Sequence, residues 1–390
     1  MKQPIPINPS VLQWARETAG LQIDEVVQKL KRKRITRQTI EAWEKGEETP
    51  TYIELENLAY NVYKRPIALF FFPNPPEEET PKQSFRTLPG EEIDALTSRA
   101  HYLLKQAKAL QINLQELYDN VNPTDRQILH DIKFLPDTHI TQAVNIVRDY
   151  LTISLDIQFS WKSEDEAFKA WRSALENCGI FVFKEAFQED TISGFCFFDQ
   201  EFPIIYINNS MPCTRQIFTL FHELAHLLFR IGGIDKRNDD YINYLHGDDR
   251  KIETFCNQFA GAFLVPDDDF ENRVNEINTE NDIQITKLSH LYRVSREVIL
   301  RKLFDRKIVN QQQYRSMVED WNNKSSNKGG SGGNYYLNKG VYLGTAYIEK
   351  VFQKMYQNRI SMEQASEYLG VKATNMPKME QWLYQRKAAT

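Results

Sequence analysis

This 390-residue sequence has little cysteine, little histidine and no long apolar run. Its four cysteines, Cys178, Cys196, Cys213 and Cys256, stand without CxxC spacing. That excludes a zinc-finger or disulfide framework, and they read as reduced thiols of a cytoplasmic protein. The longest apolar stretch near the front, Ile67 to Phe72, is too short to cross a bilayer, so no membrane association is expected. The start, Met1-Lys-Gln-Pro-Ile-Pro, has no apolar signal region, so nothing marks export. An excess of one charge is missing too. The 48 Lys+Arg face 53 Asp+Glu, a formal net charge of -5, which argues against a histone-like coat for nucleic acid but leaves room for a local basic patch. What is present is 41% hydrophobic residues with 12% aromatics, ample for real cores, and a length that suggests roughly two to four domains.

The pattern along the chain predicts a mainly α fold with a small β-sheet (α+β). Asn8-Pro9 is a capping side chain followed by proline in the first turn, with Val11, Leu12, Ala15 and Ala19 on one face behind it. A second helix carries Ile23, Val26, Val27 and Leu30. The basic run Lys31-Arg32-Lys33-Arg34 leads into a third, with Ile40 and Trp43 inward and Gly46 closing it. Thr51 and Glu54 make a capping box for a fourth, carrying Leu55, Leu58 and Ala59. We expect this unit to span 1–75, followed by a stiff proline-rich linker from Pro73 to Pro81. A helical connector without catalytic spacing is expected over 82–160. A third domain, 161–324, brings short strands at Ile180 to Phe183, Ile192 to Phe198 and Pro203 to Asn208. A Gly/Ser-rich joint, Ser325 to Gly333, precedes a helical segment over 334–390. Val294 to Leu303 and Ile360 to Leu369 look like small helix-turn-helix units, and packing is the expected role of both.

His222-Glu223-Leu224-Ala225-His226 carries the chemistry. A spacing of four puts both imidazoles on one side of a helix, one turn apart, where they bind one zinc ion. Glu223, about 100° around the helix, then reaches a water on the metal. Ile217, Phe218, Leu220, Phe221, Leu224, Leu227, Leu228 and Phe229 make the helix apolar nearly all round, so it should be buried. Two imidazoles and a carboxylate are costly there unless a cation satisfies them. The alternative is a buried histidine pair hydrogen-bonded to backbone or carboxylates. Catalytic zinc takes three protein ligands and keeps a position for water. The stretch Arg250 to Pro266 is the best source of the third, with Glu253 as ligand and Asn257, one turn on, orienting a ligand histidine. The plain alternatives are a solvated carboxylate and an ordinary polar residue.

The implied reaction is metal-assisted peptide hydrolysis, with Glu223 moving the proton from water to the leaving amine. His246, Tyr241 and Tyr244, in the polar loop between the two metal helices, are candidates for an oxyanion donor or a lid, against the plainer reading of exposed loop residues. Pro203 suggests that Ile204 to Asn208 is a sheet edge along which substrate lies as an added strand.

Arg215-Gln-Ile-Phe-Thr-Leu-Phe-His-Glu-Leu-Ala-His, Glu253-Thr-Phe-Cys-Asn-Gln-Phe-Ala and Phe263-Leu-Val-Pro resemble the ImmA/IrrE metallopeptidase family, as do Ser193-Gly194 and Phe85-Arg86-Thr87. The resemblance is close from Ile180 to Pro266 and loose elsewhere. It implies a zincin-like, gluzincin-like endopeptidase of thermolysin-like arrangement, with zinc at His222, His226 and Glu253 and Glu223 as base. It implies as substrate a helix-turn-helix repressor or antitoxin-like protein in a stress, mobile-element or toxin–antitoxin circuit. Phe221 and Ala225 depart from the smaller residues many members carry, which bears on access to the metal. The amino-terminal unit resembles the Xre-type helix-turn-helix over Leu21 to Leu30 and Ile35 to Gly46. There Arg37, Gln38 and Thr39 would face base edges of double-stranded DNA, and Lys33 and Arg34 the phosphates. Protein docking is the other reading of that unit, since Glu41, Glu44, Glu47 and Glu48 dilute its field and its turn is longer than usual. Two rivals stand beside a regulatory endopeptidase: a DNA-binding regulator or antitoxin whose metallopeptidase domain is a scaffold for a toxin encoded nearby, and a protein that cuts its own linkers. An oligomer is compatible with either.

Overall fold

Asn8 caps the first helix, its Oδ1 accepting from the Ser10 N–H at 3.0 Å. The structure, a computed structural model, describes residues 6–78, 81–85, 89–237, 239–274, 282–325 and 335–387. The chain divides into two units, residues 1–84 with 90–106, and residues 85–89 with 107–390. The connector expected over 82–160 is therefore shared between them, and the division falls inside the helix Ser98–Leu117.

In the first unit, α1 (Pro9–Thr18), α2 (Ile23–Leu30), α3 (Arg37–Lys45) and α4 (Tyr52–Asn57) follow in order, and Leu58–Tyr63 continues α4 as a wider π turn. Val11, Leu12, Ala15, Val26, Ile40, Trp43, Leu55 and Leu58 fill one core, as the 3.6-residue spacing requires. Gly46 ends α3 at φ 74°, a left-handed position that glycine adopts without cost. Glu54 closes its capping box on the Thr51 N–H at 2.8 Å.

The second unit holds a four-stranded sheet, β1 (Phe181–Glu185), β2 (Ile192–Phe197), β3 (Ile204–Asn208) and β4 (Gly233–Lys236), in the order β1-β3-β2-β4. β1 runs parallel to β3, and the other two pairings are antiparallel. Helices surround it, so the α+β class expected from the sequence holds. Two expectations about strands change. Ile204–Asn208 is interior, paired on both sides, and the edges are β1 and β4. Pro203 stands just outside the strand, where its missing N–H costs no ladder bond while its carbonyl accepts from Phe181 N at 2.9 Å. β4 itself lies in a stretch read as loop, because four residues beginning with glycine carry no alternation to detect.

One aromatic and aliphatic core ties these layers together, and it includes Trp171, Phe221, Phe259 and Phe263. Val294, Ile299, Leu300 and Leu303 also belong to it, so the first of the two small helix-turn-helix look-alikes is a packing element. The carboxy-terminal helices Tyr335–Leu343 and Thr345–Tyr356 pack on β1, where Tyr347 meets Phe183 edge-on at 5.4 Å. Arg172, buried, bridges the first of them to β1, donating to Val341 O at 2.8 Å and to Val182 O. The joint expected at Ser325 to Gly333 lies, beyond Ser325, outside the described residues, as do Arg86 and Thr87; Phe85 is buried against Phe195 and Phe197.

Candidate metal centre

The helix Cys213–Leu228 is buried along most of its length, as its apolar surround demands. It packs lengthwise against the helix Gly247–Leu264, whose Phe255, Phe259 and Phe263 supply the opposing apolar ridge. This pairing brings His222, His226 and Glu253 together, each offering one ligand atom, with all of these atoms within 4.8 Å of one another. His222 Nε2 and His226 Nε2 are 3.1 Å apart. Glu253 Oε2 lies 3.7 Å from the first ring and Oε1 3.5 Å from the second. None of the three is more than 1% exposed.

Asn257 stands one turn beyond Glu253, with its Oδ1 3.0 Å from His222 Nδ1. An amide oxygen accepts, so that nitrogen carries the proton and Nε2 presents a lone pair. Burial pulls the His222 imidazole below its usual range, which keeps it neutral and able to ligate. Glu223 is fully buried beside the cluster, and burial pushes its carboxyl up to about 8. Its Oε1 accepts from the Asp235 N–H at 2.9 Å, while Oε2 has no hydrogen-bond partner among the described residues. Two facing imidazole nitrogens and a carboxylate, all buried beside a second buried carboxyl, fit a divalent cation, which repays the cost of burying them together.

The three loop candidates separate. Tyr241 is 4% exposed and its hydroxyl donates to Glu253 Oε2 at 2.9 Å. Tyr244 is 76% exposed and His246 is exposed just ahead of the Glu253 helix, so both follow the plain surface reading. Phe221 turns into the core, stacked on Phe263 at 4.1 Å and edge-on to Trp171 at 4.9 Å. Its bulk is therefore taken up by packing. Sequence reasoning passed over Asp235, because its role depends on a strand that local pattern does not reveal. Arg215 and Thr219, two turns and one turn ahead of Glu223 on the same helix face, were a legible signal: polar residues recurring every four positions in an otherwise apolar helix.

In the first unit, Lys33, Arg34, Arg37 and Gln38 are exposed. Arg37 pairs with Asp24 at 2.8 Å and Glu41 at 2.9 Å, and Arg34 with Glu54 at 2.7 Å. Thr39 is partly covered and hydrogen-bonds Thr36, the cap of α3. No helix among the described residues is long and apolar enough to cross a membrane.

Residues 175–304 match the family described as the IrrE N-terminal-like domain of the Peptidase M78 group. A stretch of 71 residues is 41% identical to the radiation response metalloprotease IrrE of Deinococcus deserti, covering 18% of this chain and 25% of that protein. The chain thus spans about a quarter of the length of the curated relative it matches, and the matched family region contains the three clustered residues and Glu223.

Proposed function

We propose that this chain is a zinc-dependent endopeptidase of regulatory kind, gluzincin-like, which hydrolyses a peptide bond in a helix-turn-helix repressor or antitoxin-like protein. The observation that carries the reading is the convergence of His222, His226 and Glu253, from two helices, beside the buried carboxylate of Glu223. Bound there, zinc supplies Lewis acidity, lowering the pKa of water and polarising a carbonyl. The residues do the rest. His222, oriented by Asn257, and His226 and Glu253 hold the ion. Glu223, held at Oε1 by the Asp235 N–H, takes the proton of water on Oε2 and returns it to the leaving amine. Tyr241 covers the ligand carboxylate and acts as a lid, or as the oxyanion donor once it leaves Glu253. The amino-terminal unit serves as a helix-turn-helix module that places the enzyme on DNA or docks it to partners. Its exposed Lys33 and Gln38 support the first role, and the carboxylates paired to Arg34 and Arg37 the second.

The test is incubation of zinc-loaded wild type and Glu223→Gln with the products of adjacent genes, followed by fragment mass measurement. Cleavage by wild type alone supports the reading, and cleavage by Glu223→Gln removes it. The complete burial of the four site residues favours a second reading, a DNA-binding regulator or antitoxin that uses the metallopeptidase domain as scaffold for a toxin. Co-purification with a neighbouring gene product, without cleavage of any candidate, would select it.

A further inference from the structure

A second polar network lies against the back of Glu223. Asp235, on the edge strand β4, is 1% exposed. Its Oδ1 accepts from Arg215 Nη2 at 2.6 Å, and its Oδ2 from the Thr219 hydroxyl at 2.6 Å. Arg215 also donates from Nε to Ser193 Oγ on β2 at 3.0 Å, and from Nη2 to the carbonyl of Lys236 at 3.0 Å. Arg215, Thr219 and Glu223 stand four residues apart, so one face of the helix Cys213–Leu228 holds both the latch and the base. The helix can sit this close because Gly194 has no side chain: a Cβ there would lie 2.6 Å from Thr219 Cγ2.

The energetics point away from a purely stabilising role. A buried carboxylate paired with an arginine roughly breaks even against apolar packing, so such a pair needs another reason to be there. β4 supplies one. It is short, at the sheet edge, and its register with β2 shifts between Ile192 and Gly194, so backbone pairing alone locates it weakly. Yet its Asp235 N–H must be fixed to meet Glu223 Oε1 at 2.9 Å.

We infer that Asp235 is a positioning residue for Glu223: the Arg215–Asp235–Thr219 latch pins β4 so that its N–H occupies one carboxylate oxygen and leaves the other for the proton. The inference rests on Glu223 being the base. That other oxygen, Oε2, is buried and has no hydrogen-bond partner among the described residues. Turning the carboxylate out of this orientation costs the hydrogen bond from the Asp235 N–H.

Hydrogen exchange on the zinc-loaded full chain tests this without a substrate. Asp235→Asn keeps shape and removes charge, and is expected to speed exchange over Gly233–Lys236 about tenfold, the loss of one charged hydrogen bond, with β1 unchanged. The visible spectrum of the cobalt-substituted protein should not shift, because no ligand is touched; a general loss of structure would move it. Thermal unfolding of Asp235→Asn, Glu223→Gln and the double variant should be non-additive. Thr219→Val, a milder cut, should reproduce the exchange result in part if Asp235→Asn folds poorly. Unchanged exchange over β4, or additive shifts in Tm, overturns the latch. Cleavage of a substrate by Glu223→Gln would instead remove the base reading, leaving the exchange result intact.

Discussion

Asn257 Oδ1 and His222 Nδ1 lie 3.0 Å apart, across the seam of the two longest helices of the site. That contact sets the tautomer of a ring whose other nitrogen faces His226 and Glu253. Asn257→Ala should therefore weaken zinc binding by about 10–100-fold without unfolding the chain. Competition with a chromophoric chelator reads this directly; an affinity equal to wild type means that another group orients the ring.

Gly233 is where β4 passes the buried His222, His226 and Glu253 cluster. A Cβ at this position would lie 2.3 Å from His226 Cδ2 and 2.8 Å from its Nε2. The ring is fully buried and has nowhere to go. Gly233→Ala should cost about 1–3 kcal/mol of stability by overpacking and should displace His226 from its partners. We expect a lower Tm together with reduced zinc stoichiometry, measured on the same preparation. Full zinc content would show that the strand, not the ring, gives way.

Tyr241 donates to the same oxygen of Glu253 that faces His222. Tyr241→Phe should raise the zinc dissociation constant about tenfold, the lower end for loss of a partner to a ligand carboxylate. Tyr241→Ala should in addition let a chelator strip the metal faster. Stopped-flow measurement of zinc release separates the two, and identical release rates in all three proteins would end the covering role of this side chain.

Acid should destabilise the first unit through Glu54. Burial works to raise its carboxyl, but the Thr51 hydroxyl and N–H and the Arg34 guanidinium hold it below its usual range. A depressed carboxyl contributes stability that is fully present above the ordinary carboxylate value, about 4.3, and lost as pH falls through the lowered one. Glu54→Gln should cost about 1 kcal/mol near neutral pH, as capping interactions do, and should flatten the acid limb. Thermal unfolding followed from about pH 7 to about pH 3 tests the sign. An acid limb of the same slope in both proteins would place the effect elsewhere.

Much of this was legible because it is local. Asn8, Thr51, Glu54 and Gly46 mark helix ends through bonds to residues at most four positions away, so the chain writes them in order. His222, Glu223 and His226 are set by the pitch of one helix. Even Glu253 and Asn257 could be proposed together, since their own spacing is one turn. The edge of the sheet could not. Pro203 reads as an edge signal, yet the pairing of Ile204–Asn208 with strands on both sides decides otherwise.

The sequence by itself determined which side chains face one another along each helix, and hence that two imidazoles and a carboxylate needed a cation or some other partner. Only the tertiary structure decided that Glu253 meets them, that Phe221 turns into the core, and that β4 delivers Asp235 to Glu223. The reason is physical. Helical periodicity is fixed by hydrogen bonds within one turn, whereas the docking of β4 depends on contacts from β2 and from a helix some twenty residues away, which no window of sequence contains.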